Sequence, residues 1–235
     1  VTLNVPEKHI MCFDPMTGKR GIAKTREVEG KTQVYMQLKS GESIILQTFT
    51  RSLQGEPEWK YRKEMDYSLS LDHGWKLRFV ESYPAIEGEF KIDTPSSWTE
   101  IAHPAAKINR GTALYSLELD LPELSADDWV LDLGDVRESA RVRINGQEAG
   151  IAWAAPFRLS IGQLLKSGKN LIEVEVTNLP ANSIAEMDRQ GKQWRIFEDI
   201  NMAKLNYEKG TYGHWETLPS GLNGIVRLIP VKYLF

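Results

Sequence analysis

From residue 67 to the C-terminus the chain repeats one pattern, and that pattern leaves few folds open. Short runs rich in β-branched and aromatic residues alternate with clusters of Gly, Pro, Asn and Asp: YSLSL, WKLRFV, EGEFKI, ALYSLELDL, WVLDLG, ESARVRI, QEAGIAW, FRLSI, LIEVEV and IVRLIPVKYL. Strand-length runs at short intervals, with no helical runs between them, predict an all-β sandwich. In SARVRI the residues Ala140, Val142 and Ile144 share one face and Arg141 and Arg143 the other. In LIEVEV the residues Ile172, Val174 and Val176 face in, with Glu173 and Glu175 out. If the two strands are neighbours, the outward arginines and glutamates pair across the ladder. Asn145-Gly146 joins SARVRI to QEAGIAW, and Asn-Gly suits the two positive-φ positions of a type I′ hairpin turn.

The front of the chain is less regular. Residues 1–52 read as the tail of a preceding β-domain, since so few short strands bury too little to stand alone. Within it, Gln33-Val34-Tyr35-Met36-Gln37-Leu38 alternates, KSGES is a turn and IILQTF resumes, which predicts a hairpin over 33–49. The charged stretch 53–66, with Gly55 and Pro57, reads as a linker to the sandwich of 67–235. One segment departs from the β pattern. Ser183-x-x-Glu186 fits a capping box and Gly191 a C′ glycine, which predicts a short helix over 183–190. The connection over 192–220 that follows is long for a sandwich, as functional loops and packing arms are.

Charge and cysteine content exclude several classes. With 29 Lys and Arg against 32 Asp and Glu, the net charge is −3, so no global basic field collects nucleic acid. No apolar run reaches the roughly 18–20 residues that span a bilayer, so no membrane partner is expected. The single Cys12 excludes an internal disulfide and reads as a small buried hydrophobe. His9, His73, His103 and His214 offer no zinc-type spacing. The opening VTLNVPEKHIMCFDP, with neither an initiator Met nor a signal pattern, reads as a mature or cut chain.

Four segments then carry a family likeness: PSSWTE (95–100), RGTALYSLELDLP (110–122), LDLGDVRESARVRINGQEAGIAWAAPFRLSI (131–161) and LLKSGKNLIEVEVTNLPAN (164–182). They resemble the galactose-binding-like jelly roll of large glycoside hydrolases, as in the sugar-binding domain of glycoside hydrolase family 2. With NSIAEMDRQGKQWRIF and LPSGLNGIVRLIP added, the chain resembles the C-terminal part of glycoside hydrolase family 106, the α-L-rhamnosidase-like enzymes. The front segments FDPMTGKRGIA and VYMQLKSGESIILQTF resemble the β-domain that follows the catalytic barrel in that family. The resemblance implies a periplasmic, cell-surface or secreted enzyme. Its chemistry is expected on a (β/α)₈ barrel that a strand-dominated chain of 235 residues does not hold. The expectation is therefore a non-catalytic accessory portion that buttresses such a barrel. Its partners would be that barrel and a rhamnose-containing plant-type glycan. An autonomous carbohydrate-binding module and a small competent glycosidase are the alternatives.

Hydrolysis needs two opposed carboxylates, roughly 6.5–9.5 Å apart in an inverting enzyme. Asp132, Asp135 and Glu138, or Glu198 and Asp199, are close in sequence but carry no supporting signature, so no catalytic residue is assigned. Sugar binding needs an aromatic face and planar polar groups. The candidates are Trp153, the pair Asp188 and Arg189, the pair Trp194 and Arg195, and Tyr212, His214 and Trp215. Each has a structural alternative, namely core or domain packing for Trp153 and docking on the parent enzyme for Arg189, Trp194 and Trp215. Trp75, Trp98 and Trp129 sit in or beside strand patterns and are expected in the core. No cofactor is demanded. A structural calcium stays open, because its carbonyl ligands leave no sequence trace.

Overall fold

The computed structural model describes residues 1–122, 125–196 and 210–235. In the N-terminal region, apolar residues alternate only over short stretches, and the strands are short accordingly. They are β1 (Thr2–Leu3), β2 (His9–Phe13), β3 (Arg20–Ile22), β4 (Thr25–Val28), β5 (Lys31–Val34) and β6 (Ile45–Phe49). These form two three-stranded antiparallel sheets, ordered β1-β5-β4 and β3-β2-β6. The hairpin expected over 33–49 does not form. Gln33 lies opposite Thr2 and Arg26, while Ile45 lies opposite Phe13. Alternation does bury Val34, but a period of two says which face is inward and not which strand lies alongside. Ile10, Cys12, Ala23 and Val34 form the buried centre here, with Met36, Leu46 and Trp59 packed on it. Burial pushes the Cys12 thiol up to about 11, the environment of an inert apolar residue.

The rest of the chain is a β-sandwich. Its strands are β7 (Tyr61–Glu64), β8 (Leu69–Ser70), β9 (Trp75–Tyr83), β10 (Glu89–Ile92), β11 (Arg110–Leu121), β12 (Asp128–Asp132), β13 (Val136–Arg137), β14 (Ser139–Ile144), β15 (Gln147–Ala152), β16 (Arg158–Ser160), β17 (Gly168–Thr177), β18 (Gly221–Leu222) and β19 (Arg227–Leu234). One sheet has six strands in the order β10-β9-β11-β17-β14-β15. The other runs β16-β12-β19-β7, with β8 also on β19. The two-stranded pair β13-β18 lies apart from both. Strand β7 falls inside the stretch expected as a linker, and pairs Tyr61 with Leu234 and Glu64 with Val231.

Long alternating strands decide which residues lie between the sheets. Val142, Ile144, Ile172, Val174 and Val176 are fully buried, as their alternation requires. Trp75, Trp98 and Trp129 are core residues, between 0% and 5% exposed. Strands β14 and β17 are neighbours, and Arg143 Nη1 meets Glu175 Oε1 at 2.6 Å on the outward face. Asn145 and Gly146 both have positive φ, at 54° and 80°, and turn β14 into β15.

The outer face of the five-strand sheet is covered as well. Val130, Ile229 and Val231 form a small buried cluster there. Around it Arg158 reaches Glu64 at 2.9 Å and Asp132 at 3.1 Å. Gln37 of the N-terminal region exchanges hydrogen bonds with the Arg62 backbone at 2.8 and 2.9 Å, and Lys39 pairs with Glu64. The Tyr61 hydroxyl accepts from the Lys24 amide at 2.9 Å and donates to the Tyr35 carbonyl at 3.1 Å.

The short helix is α1 (Ala181–Arg189), and its start differs from the sequence expectation. Pro180 is the N-cap, so Ser183 lies inside the first turn, where its hydroxyl accepts from Arg110 Nη1 at 3.4 Å. Asn182 meets Leu218 through both its side-chain groups at 2.8 Å. Gly191, with φ at +64°, follows the C-cap as expected.

Candidate functional site

Register places most of the predicted sugar-contacting residues at one end of the sandwich. Asp132 is opposite Arg158 and Arg227, and Ala140 is opposite Ala152 and Val176. The connections that leave β12, β15 and β17 therefore emerge together, carrying Asp135, Trp153 and α1 respectively.

On α1 the last turn presents Asp188 and Arg189, and both are used to hold the chain that follows. Asp188 Oδ1 accepts from the Trp194 indole at 2.9 Å, and Oδ2 accepts from the backbone amides of Tyr212 and Gly213. Trp194 is the main cause that holds the Asp188 carboxyl below its ordinary value, followed by the Tyr212 amide, the Gly213 amide and the Arg195 charge. Arg189 donates to the Gly213 carbonyl at 2.8 Å, to the Trp215 carbonyl at 2.7 Å and to Glu186 at 3.0 Å. Asp188 and Arg189 are thus engaged within the chain, by backbone groups and by the Trp194 and Glu186 side chains.

What the two residues assemble is an aromatic shelf. Tyr212 lies 5.7 Å from Trp194 and 4.6 Å from Trp215 between ring centroids. The Arg195 guanidinium sits 4.9 Å from the Trp194 ring centre and 5.4 Å from that of Tyr212. Trp215 is 38% exposed and His214 is exposed beside it. Tyr212, Trp194 and Trp215 are therefore brought together, with one aromatic partly open to solvent. Trp153 stands apart, past the end of β15, and at 58% exposed it is not a core residue. Its turn lies against the N-terminal region, where a Cβ on Gly41 would come 2.8 Å from the Ala155 carbonyl oxygen.

The carboxylates near this end are tied into turns. Asp132 accepts from the Gly134 amide at 3.0 Å and pairs with Arg158, and Asp135 pairs with Arg137 at 2.9 Å. Glu198 and Asp199 lie outside the described residues. Among the described residues no three His, Cys, Asp or Glu side chains converge as metal ligands.

A concavity elsewhere in the molecule escaped the sequence reading. A cleft of about 560 Å³ opens where the N-terminal sheets meet the sandwich. Lys19, Trp59, Lys60, Arg62, Asp128 and Tyr233 are among its lining residues. The signal for it was the run Trp59-Lys60-Tyr61-Arg62, whose aromatic and basic residues alternate, in a stretch taken as a linker.

No protein-family model matches the chain. In sequence it is 29% identical over 197 residues to a "Putative beta-glucuronidase" of Formosa agariphila, covering 76% of this chain and 17% of that protein. In structure it is similar to the rhamnosidase from Novosphingobium sp. PP1Y, with a TM-score of 0.75 and 26% identity over 97% of this chain and 21% of the rhamnosidase. The β-D-glucuronidase of Dictyoglomus thermophilum shares the fold, with a TM-score of 0.50 and 18% identity over 72% of this chain and 29% of that one. The chain thus spans between a sixth and a third of these proteins' lengths.

Proposed function

We propose that this chain is a non-catalytic accessory portion of an α-L-rhamnosidase-type glycoside hydrolase of family 106. In this reading residues 67–235 are a galactose-binding-like jelly roll that buttresses a catalytic barrel, and residues 1–52 belong to the β-domain before it. The barrel and a rhamnose-containing glycan are its partners, outside the cytoplasm. The observation that carries the reading is the extent of the rhamnosidase match, nearly all of this chain against about a fifth of the enzyme. The tied carboxylates Asp132 and Asp135 support it, because a reaction centre needs acids free to face a sugar. The exposed Trp153, Leu179, Ile196 and Leu218 supply apolar surface for a docked barrel.

An aryl α-L-rhamnoside offered to the purified chain is expected to release no chromophore. The coding sequence upstream of Val1 is expected to encode alternating strands and helices. Hydrolysis by the chain alone would overturn the reading, as would an upstream sequence without a barrel. Exposure of Trp153 and Trp215 favours a second reading, an autonomous carbohydrate-binding module. That one requires saturable binding of a rhamnose-containing glycan, lost in Trp153→Ala or Trp215→Ala.

A further inference from the structure

The cleft between the N-terminal sheets and the sandwich brings cations together without neutralising them fully. Neither the Lys19 nor the Lys60 ammonium has a carboxylate within salt-bridge reach among the described residues. Arg62 donates to Ser160 and stands 4.0 Å from Asp128. Asp128 is itself largely committed. Its Oδ1 accepts from the amides of Trp129 and Gly162 at 2.8 and 3.0 Å, and its Oδ2 from the Tyr233 hydroxyl at 3.3 Å. Asp14 is spent on its own turn, accepting from the Met16 amide at 2.8 Å and the Thr17 hydroxyl at 2.6 Å. The crowding is visible at Lys19, where partial burial comes first and the charges of Arg62 and Lys60 add to it. Together they push its ammonium below the ordinary value against the pull of Asp128 and Asp14.

The remaining lining selects among anions. Trp59 and Tyr233 contribute aromatic rings, the Lys60 ammonium standing 4.8 Å from the Tyr233 ring centre, while Gln163, Glu58 and Glu148 contribute amide and carboxylate groups to the lining. A bare anion gains from the lysines but meets Glu58 and Glu148 unfavourably. A polyhydroxylated ring gives those acids hydroxyl hydrogens to accept and presents an apolar face to an aromatic. A volume of about 560 Å³ lies within the range of small-ligand clefts, about 300–1,000 Å³.

We propose that this cleft binds a sugar unit bearing an acidic substituent, its anionic oxygens held by Lys19, Lys60 and Arg62 and its ring seated beside Trp59 and Tyr233. The site is separate from the aromatic shelf on α1 and does not depend on the accessory role argued above. A chain that hydrolyses nothing still binds here.

Titration of the whole chain with D-glucuronate, glucose 6-sulfate, D-glucose and inorganic sulfate, followed by calorimetry or NMR, tests it. At least one acidic sugar is expected to bind about tenfold more tightly than glucose, since hydrogen bonds to charged groups discriminate on that scale. Its affinity should fall with added salt, because the lysines are solvent-facing. Glucuronate alone would assign a carboxylate, glucose 6-sulfate alone a sulfate ester, and binding of both a site that reads charge. The double variant Lys19→Gln/Lys60→Gln should weaken the acidic sugar about tenfold while the thermal midpoint stays put. Three outcomes overturn the proposal: glucose binding as tightly as its acidic counterparts, sulfate binding as tightly as glucose 6-sulfate, or no saturable binding by any acidic sugar. Unchanged affinity in the double variant overturns it equally.

Discussion

The N-terminal region and the sandwich are both antiparallel β-structure, yet they are held by different means. The sandwich closes a six-strand sheet over a second one and buries whole tryptophans between them. The N-terminal region has a small buried centre of Ile10, Cys12, Ala23 and Val34, and fastens itself outward through Tyr61, Gln37 and Lys39 to strand β7. Apolar area supplies roughly 25 cal/mol per Å², so long alternating strands stabilise themselves and short ones lean on a neighbour. A region can therefore be fully β and still depend on its contacts.

Deep in the sandwich, Trp98→Ala should have the largest effect, about 3–5 kcal/mol by denaturant unfolding, because the ring is 0% exposed. In the N-terminal region Ile10→Ala should lower stability by about 2–5 kcal/mol. The difference should be spatial. Hydrogen exchange is expected to quicken in β2, β3 and β6 while β11 and β17 keep their protection. Equal loosening of both regions would break the comparison. Removing one fastening, with Tyr61→Phe, leaves the Lys24 amide without its acceptor and should cost about 1–2 kcal/mol. Its effect should again concentrate before residue 60.

Acid tests the other end of the sandwich. The folded Asp188 carboxyl lies below its unfolded value near 3.9, so its contribution is complete above that pH and is lost as pH falls through the folded value. Tryptophan fluorescence of the shelf should change below about pH 4, and Asp188→Asn should abolish that change. The smallest effect is expected from Arg143→Gln on the solvated face, where the ion pair with Glu175 is open to water. Chemical denaturation should barely register it.

The parts of the fold legible in the sequence are those in which local pattern and tertiary contact agree. The Asn145-Gly146 turn, the inward residues of β14 and β17 and the core tryptophans follow from spacing alone. The hairpin over 33–49 failed because a strand's alternation does not name its neighbour. The capping box at Ser183 failed because Ser-x-x-Glu also occurs within a helix, and here Pro180 starts the turn earlier. At the candidate site, the aromatic residues were identifiable by type, but the role of Asp188 and Arg189 was not. Besides the side chains of Trp194 and Glu186, their partners are backbone groups of Tyr212, Gly213 and Trp215, about 25 residues further on, which no side-chain pattern announces. Only one wall of the cleft leaves a trace in the sequence, the run Trp59-Lys60-Tyr61-Arg62, because the site is made by residues 14–62 meeting residues 128–233.

Strand β7 has a practical consequence for anyone who would separate the sandwich by composition. Beginning the polypeptide at residue 67 removes the partner of Val231, Lys232, Tyr233 and Leu234. It leaves a bare sheet margin whose amides and carbonyls seek another chain. Such a truncated protein should self-associate in proportion to its concentration, and restoring β7 together with the N-terminal residues that fasten onto it should cure it.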